Sequence, residues 1–280
     1  MGIPDMAIGN VIGSNILNVL LVLGLVALLG PLRINRRLFK GGLFVMVGAA
    51  VLMFLLSLDG VLGRWDGLLL ILVMGFYTLG LFKFSKQEGS TQQRSWPLWT
   101  LIPAILLGSY LLFLGSGWFV GGAVGIAESL GASKLVIGLT ILALGTSLPE
   151  LATFIVASIR KEADLGVGNI IGSCIFNILV AQGVCSFLVG EKMVVSYSVL
   201  SFNLPMMIAV SILCIPVFYT DRYLSRGEGV LFLFYYVCYI LCLTVWGDKV
   251  AALPVVLLGA VVYLTLFYFR VLQHYKEEKL

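Results

Sequence analysis

Charge is scarce in this chain. Of 280 residues only 11% are Asp, Glu, Lys or Arg, against 60% hydrophobic, and the mean hydropathy is +1.06. A water-soluble domain carries about a quarter charged residues, so a soluble fold is excluded. Histidine is scarcer still. The single copy, His274, sits in the charged C-terminal stretch, which rules out a metal centre or proton relay built on imidazoles. The cysteines are few, and Cys174, Cys185, Cys214, Cys238 and Cys242 all fall inside apolar runs with no paired spacing in loops. Packing, rather than disulfide formation or metal ligation, is their expected role. A charged leader followed by a small-residue cleavage site is also missing, so no cleavable signal is expected.

What the sequence has in quantity is apolar length. Nine runs, about 6–29, 43–58, 67–82, 98–120, 135–158, 166–189, 199–217, 230–246 and 252–271, are read as membrane spans, since roughly 17–25 apolar residues cross a hydrocarbon core of ~30 Å. The expected fold is an all-α membrane protein. Connections are short except for Lys83–Pro97, a polar stretch that reads as a flexible linker. With nine spans, the connecting segments alternate between two sides and divide the 18 Lys and Arg very unevenly. Arg33, Arg36, Arg37, Lys40, Lys83, Lys86, Arg94, Arg160, Lys161, Arg222, Arg226, Arg270, Lys276 and Lys279 fall on one side; Arg64, Lys134, Lys192 and Lys249 fall on the other. The positive-inside rule makes the basic side cytoplasmic. Loops 30–42, 83–97, 159–165 and 218–229 and the C-terminus are therefore expected in the cytoplasm, in a protein of the plasma membrane. The cluster Arg33–Lys40 is a topology anchor on anionic lipid, and no nucleic-acid partner is expected.

One segment is written twice. Asp5–Asn18 reads DMAIGNVIGSNILN and Asp164–Asn177 reads DLGVGNIIGSCIFN, with eight of fourteen positions identical at an offset of 159. A second echo, DGVLGRWDGLLL (Asp59–Leu70) against DRYLSRGEGVLF (Asp221–Phe232), recurs at an offset of 162. The first copy of the motif enters its span from outside and the second from inside, so two inverted-topology repeats are expected. Repeats of this kind are a signature of secondary transporters, with the substrate site between the copies. The division is then 1–82 for the first repeat region, 83–97 for the linker, 98–250 for the second, and 251–280 for an appended helix and tail.

Within the copies, Asn10, Ser14 and Asn18 are four apart and form one helical stripe flanked by Gly9 and Gly13. Asparagines beside glycines in a membrane helix commonly hydrogen-bond a neighbouring helix. The matched placement of Asn10 and Asn169 adds a second reading, in which they are paired ligands, with Ser14, Ser173, Asn18 and Asn177 as weaker candidates. Glu150 is the one charged residue well inside a span. A carboxylate at that depth costs several kcal/mol, by estimates of about 2.5 and upward, and usually faces a functional cavity. Gly145-Thr146-Ser147-Leu148-Pro149-Glu150 surrounds it. Pro149 is expected to break the helix and release carbonyls upstream, which with the hydroxyls gives an oxygen-rich setting for a hard cation. The competing reading is structural: Ser147-x-x-Glu150 also matches a capping box at the start of a new helix.

GTSLPE followed by GNIIGSCIFN resembles one α-repeat of the sodium/calcium exchanger family, and AIGNVIGSNILN resembles the latter half of the other. The resemblance implies about ten helices in two inverted halves and exchange of Ca²⁺ for Na⁺, with K⁺ co-transported in some members. It implies no bound cofactor and no enzymatic activity. It assigns Glu150 as the acidic cation ligand, Thr146 and Ser147 as hydroxyl and carbonyl ligands, Ala143 as a carbonyl contributor, and Asn169 and Asn10 as the polar residues of the GN elements. Three departures follow. Both GN positions are Asn where many members have one Asp, and Met6 and Leu165 stand where some have serine. The chain also begins within the first α-repeat, without that repeat's GTSxPE helix, so a second copy or a complementing chain is expected to supply the missing helices. The resulting expectation is a secondary-active antiporter exchanging calcium for sodium by alternating access. The alternatives are a cation/proton antiporter and a fragment that transports nothing without its partner. An intramembrane enzyme would need a dyad or metal motif that these spans do not contain.

Overall fold

In a bilayer every backbone N–H and C=O must be satisfied within the protein, which leaves helices as the solution for single apolar runs even where Val and Ile are abundant. The computed structural model describes residues 3–30, 32–33, 36–85, 97–189, 193–220 and 223–245, and these are overwhelmingly helical. The helices are α1 (Ile3–Leu17), α2 (Leu23–Leu29), α3 (Arg36–Leu56), α4 (Arg64–Ser85), α5 (Leu98–Ser129), α6 (Lys134–Ile137), α7 (Ala143–Ile159), α8 (Ala163–Phe176), α9 (Gly183–Val189), α10 (Leu204–Thr220) and α11 (Arg226–Val245). Four π-helical stretches join neighbours into longer rods: Asn18–Val22 between α1 and α2, Gly138–Leu142 between α6 and α7, Asn177–Gln182 between α8 and α9, and Val199–Asn203 before α10. The stretches at Asn18 and Asn177 begin at the last residue of the two motif copies.

Eight of the nine expected spans lie among the described residues, and each falls on helix. Six are long and apolar enough to cross a membrane: Met6–Leu29, Arg64–Phe82, Trp99–Ser129, Lys134–Ile159, Ala163–Val189 and Arg226–Thr244. Gly41–Leu56 and Val199–Ile215 are apolar but shorter. The ninth, 252–271, and most of the 83–97 linker lie outside the described residues.

Two glycine contacts lock the rods together. A Cβ on Gly229 of α11 would lie 2.9 Å from the Gly24 carbonyl oxygen of α2, and one on Gly183 of α9 would lie 3.1 Å from the Gly67 carbonyl oxygen of α4. Small residues let helix backbones approach where no hydrophobic effect drives association. The partners are spaced as the repeats are, Gly183 standing 159 residues after Gly24 and Gly229 standing 162 after Gly67. Four two-residue strands are related in nearly the same way, Met193 standing 161 residues after Leu32 and Tyr223 standing 162 after Val61. Leu32–Arg33 (β1) pairs antiparallel with Tyr223–Leu224 (β4), Leu32 opposite Leu224, and Val61–Leu62 (β2) pairs with Met193–Val194 (β3), Leu62 opposite Met193.

The expected break at Pro149 does not occur. Ala143–Ile159 is one continuous helix with Pro149 inside it, and the irregularity lies upstream, in the π-helical turn Gly138–Leu142. Pro149 has no N–H for the Gly145 carbonyl four residues back, so a free acceptor does arise, but without ending the helix. The capping-box reading of Ser147 and Glu150 fails for the same reason. The cap of this rod is Ser133, whose Oγ accepts from the Val136 N–H at 3.3 Å.

Candidate functional site

The first copy of the duplicated motif packs directly on the rod that carries Glu150. Gly9 and Gly13 of α1 rest against the backbone of Leu135–Leu139, and a Cβ on Gly138 would lie 2.8 Å from the Met6 carbonyl oxygen. Backbones this close bring the polar stripe of α1 onto Thr146. The Ser14 Oγ and Thr146 Oγ1 are 3.1 Å apart, and Thr146 Oγ1 is 3.1 Å from Asn10 Oδ1. The same hydroxyl is 3.0 Å from the Leu142 carbonyl and 3.2 Å from that of Ala143. Ser14 also reaches Asn10 Oδ1, at 3.5 Å.

This cluster holds more acceptors than protons. The Thr146 hydroxyl has one hydrogen and faces an amide oxygen, two carbonyls and a second hydroxyl. The Ser14 hydroxyl can donate to Asn10 Oδ1 and the two carbonyls also belong to the helix ladder, so the cluster is hydrogen-bonded while its oxygens converge on one spot. A hard cation satisfies such a set because it takes oxygen lone pairs and needs no hydrogen. Glu150 follows Thr146 by four residues, on the same face of α7. It is half-buried, its Oε2 is shielded with no hydrogen-bond partner, and the Ser173 hydroxyl of α8 lies within reach of its carboxylate.

Of the sequence-derived candidates, the structure therefore joins Asn10, Ser14, Thr146 and the Ala143 carbonyl, and it sets Glu150 beside Ser173. Ser147 does not share the Thr146 environment, being buried where its neighbour is exposed. The symmetric pairing of Asn10 with Asn169 is not seen either. Asn169 is exposed with Gly168 and Gly172, and a Cβ on either glycine would touch nothing within 4 Å. The reason is packing. A helix presses on Gly9 and Gly13 of the first copy, but among the described residues none presses on their equivalents in the second.

Three features escaped the sequence reading. The Leu142 carbonyl joins the cluster through the ordinary bond of a helical threonine hydroxyl to the carbonyl four residues back. Asn18 is fully buried with neither amide atom bonded, whereas the sequence ranked it below Asn10. A cavity of ≈ 500 Å³ between α5 and α7 opens beside Thr146 and is lined by Ser109, Ser116, Phe113, Val120 and Pro149 among others. Ser109 and Ser116 are seven apart on an otherwise apolar helix, and that heptad spacing was the available signal.

The model of the family described as sodium/calcium exchanger protein matches residues 1–83 and 100–245. The chain belongs to the sodium/calcium exchanger family. It is 38% identical over 190 residues to the putative antiporter CaxA of Alkalimonas amylolytica, covering 64% of this chain and 60% of that protein. It is 28% identical over 282 residues to the sodium/calcium exchanger MaX1 of Methanosarcina acetivorans, covering 84% and 79%. A solved structure of the sodium-calcium exchanger NCX_Mj, soaked with 2.5 mM Na⁺ and 10 mM Sr²⁺, superimposes with a TM-score of 0.69 at 30% identity, covering 85% of this chain and 76% of that one. The chain thus spans less than two thirds of the length of CaxA. As a member of the exchanger family with six membrane-capable helices among the described residues, it is an integral membrane protein.

Proposed function

We propose that the chain forms the larger part of an antiporter that exchanges Ca²⁺ for Na⁺ by alternating access. The observation that carries this is the convergence of Asn10 and Ser14 with Thr146 and the Leu142 and Ala143 carbonyls, one helical turn from Glu150. An acceptor-rich cluster with a neighbouring carboxylate replaces a cation's hydration shell, and its place between two copies of one motif suits a site reached alternately from either side. The inverted-repeat reading is supported by the mated glycine contacts, Gly24 on Gly229 and Gly183 on Gly67, and by the two strand pairs, which exchange under offsets of 161 and 162. The names of MaX1 and NCX_Mj as sodium/calcium exchangers point the same way. The basic loops are assigned to the cytoplasm and the protein to the plasma membrane.

The ligand set we assign is Glu150, Thr146, Ser147, Ala143, Asn169, Asn10, Ser173 and Ser14, with Asn169 completing its part when a further helix covers α8. A helix beyond the described residues, packed on Gly168 and Gly172 as the Leu135–Leu139 backbone packs on Gly9 and Gly13, would fill that role. One carboxylate balances a divalent ion poorly, which keeps cation/proton exchange as the second reading. Radiolabelled Ca²⁺ uptake into vesicles holding the assembled protein separates the two. Uptake driven by a Na⁺ gradient at constant pH is expected, and uptake driven only by a pH gradient would replace the first reading with the second.

A further inference from the structure

The cavity beside the Thr146 cluster has the form of a wedge. α5 returns as the rod that carries α7 through a tight turn at Gly131 (φ +80°), so the two run antiparallel. α5 lines the cavity over three turns, 109–120, and α7 over one, 145–149. At one end Val120 Cγ2 fills the space that a Cβ on Gly145 would take. Ser116 stands one turn from Val120 towards Leu98, and Ser109 two turns further, about 10 Å along the helix axis. Exposure follows the same order: Ser109 is exposed, Ser116 half-buried and Gly145 buried. The wedge thus opens towards the Leu98 end of α5 and narrows at Gly145 and Thr146, midway along the span Lys134–Ile159.

Its polar groups offer lone pairs rather than protons. Pro149 has no N–H to give the Gly145 carbonyl. The Ser116 hydroxyl donates its proton to the Phe113 carbonyl at 3.0 Å, which leaves its lone pairs for the cavity. The volume of ≈ 500 Å³ is room for roughly fifteen waters at ~30 Å³ each, far more than a bare ion needs. We propose that the wedge is a hydrated passage by which a cation reaches the Thr146 cluster from the side of the 83–97 connection. Ser109 and Ser116 are its steps, and the Val120–Gly145 contact closes it towards the other side. The inference rests on the reading of the Thr146 cluster as a cation site. A lipid chain is the competing occupant, and it would leave the Gly145 carbonyl in hydrocarbon without a donor.

The test uses the 280-residue chain in membrane vesicles of one orientation, carrying Ser109→Cys, Ser116→Cys, Val120→Cys or Leu111→Cys, with impermeant methanethiosulfonates as probes. Adducts are read peptide by peptide by mass spectrometry, so the native cysteines stay in place. Leu111 is exposed on α5 but does not line the cavity, which makes it the lipid-facing reference. A thiol reacts as its thiolate, which needs water, so Ser109→Cys and Ser116→Cys should react at least ~10-fold faster than Leu111→Cys. They should do so from the side that labels Gly89→Cys, and Val120→Cys should match the slow reference. After correction for rates with free cysteine, Ser116→Cys should favour a cationic over an anionic reagent by ~10-fold, and Glu150→Gln should reduce that ratio. Ser116→Cys no faster than Leu111→Cys would give the wedge to lipid, and labelling from the Gly131→Cys side would reverse its opening; either result overturns the proposal. If Ser116→Cys does not insert, Ser109→Cys against Leu111→Cys decides. Na⁺-driven Ca²⁺ uptake by the assembled protein is measured separately, so failed exchange beside the expected labelling would count against the exchanger reading and leave the passage standing.

Discussion

At the residue scale the site turns on one carboxylate and one hydroxyl. Glu150 is the one carboxylate well inside a described span, so Glu150→Gln in the assembled protein should fold normally and bind cation about 10- to 100-fold more weakly, the worth of a charge-assisted contact. Equilibrium binding of radiolabelled Ca²⁺ measures this, and normal affinity would reduce Glu150 to a structural role. Thr146→Val removes a hydroxyl that faces four oxygens. Its expected cost is on the order of 1 kcal/mol of cation affinity, about fivefold, with little change in melting temperature. Stability should barely move because the hydroxyl satisfies only one of those oxygens at a time.

Between elements the decisive contacts are backbone to backbone. A Cβ at Gly13 would lie 2.8 Å from the Leu139 Cα, an atom with nowhere to move. Gly13→Ala should therefore destabilise the chain by about 1–3 kcal/mol through overpacking, read as a lower midpoint of thermal unfolding. Gly172→Ala, at the equivalent position of α8, meets open space and should be neutral in the same assay. If a further helix covers α8, the Ala variant should weaken its capture, measured by cross-linking a membrane peptide that carries the sequence of Lys134–Ile159 but is inserted in the opposite sense. Equal effects of the two substitutions on the chain alone would contradict the asymmetry between the copies.

For the whole molecule, the expectation concerns coupling. Residues 1–280 reconstituted alone should insert into vesicles but show no Na⁺-dependent Ca²⁺ flux, because Asn169, a ligand in the proposed site, is exposed and stands apart from the Thr146 cluster. Robust exchange by the purified chain would refute this, unless it dimerised so that one copy completed the other. Orientation is independently open to test: an impermeant thiol reagent should label Gly89→Cys from the cytoplasmic side and Gly131→Cys from the other. Labelling of both from one side would reverse the charge argument.

The sequence determined the environment and the helices. Scarce charge and long apolar runs leave no alternative to membrane helices, and eight of the nine expected spans fall on helix for that reason. The offsets of 159 and 162 match the spacing of the mated glycines, Gly24 with Gly183 and Gly67 with Gly229. Asn10, Ser14, Thr146 and Glu150 were legible because polar residues at that depth need a reason. Tertiary structure decided the rest. Pro149 stays inside one continuous helix, Ala143–Ile159, and the irregularity lies upstream at Gly138–Leu142, which the sequence did not indicate. Whether Asn169 matches Asn10 depends on a helix being packed upon it, and whether Asn18 lies bonded or orphaned depends on what faces it across the interface. Local pattern carries none of that, because those answers belong to the neighbouring helix and not to the residue.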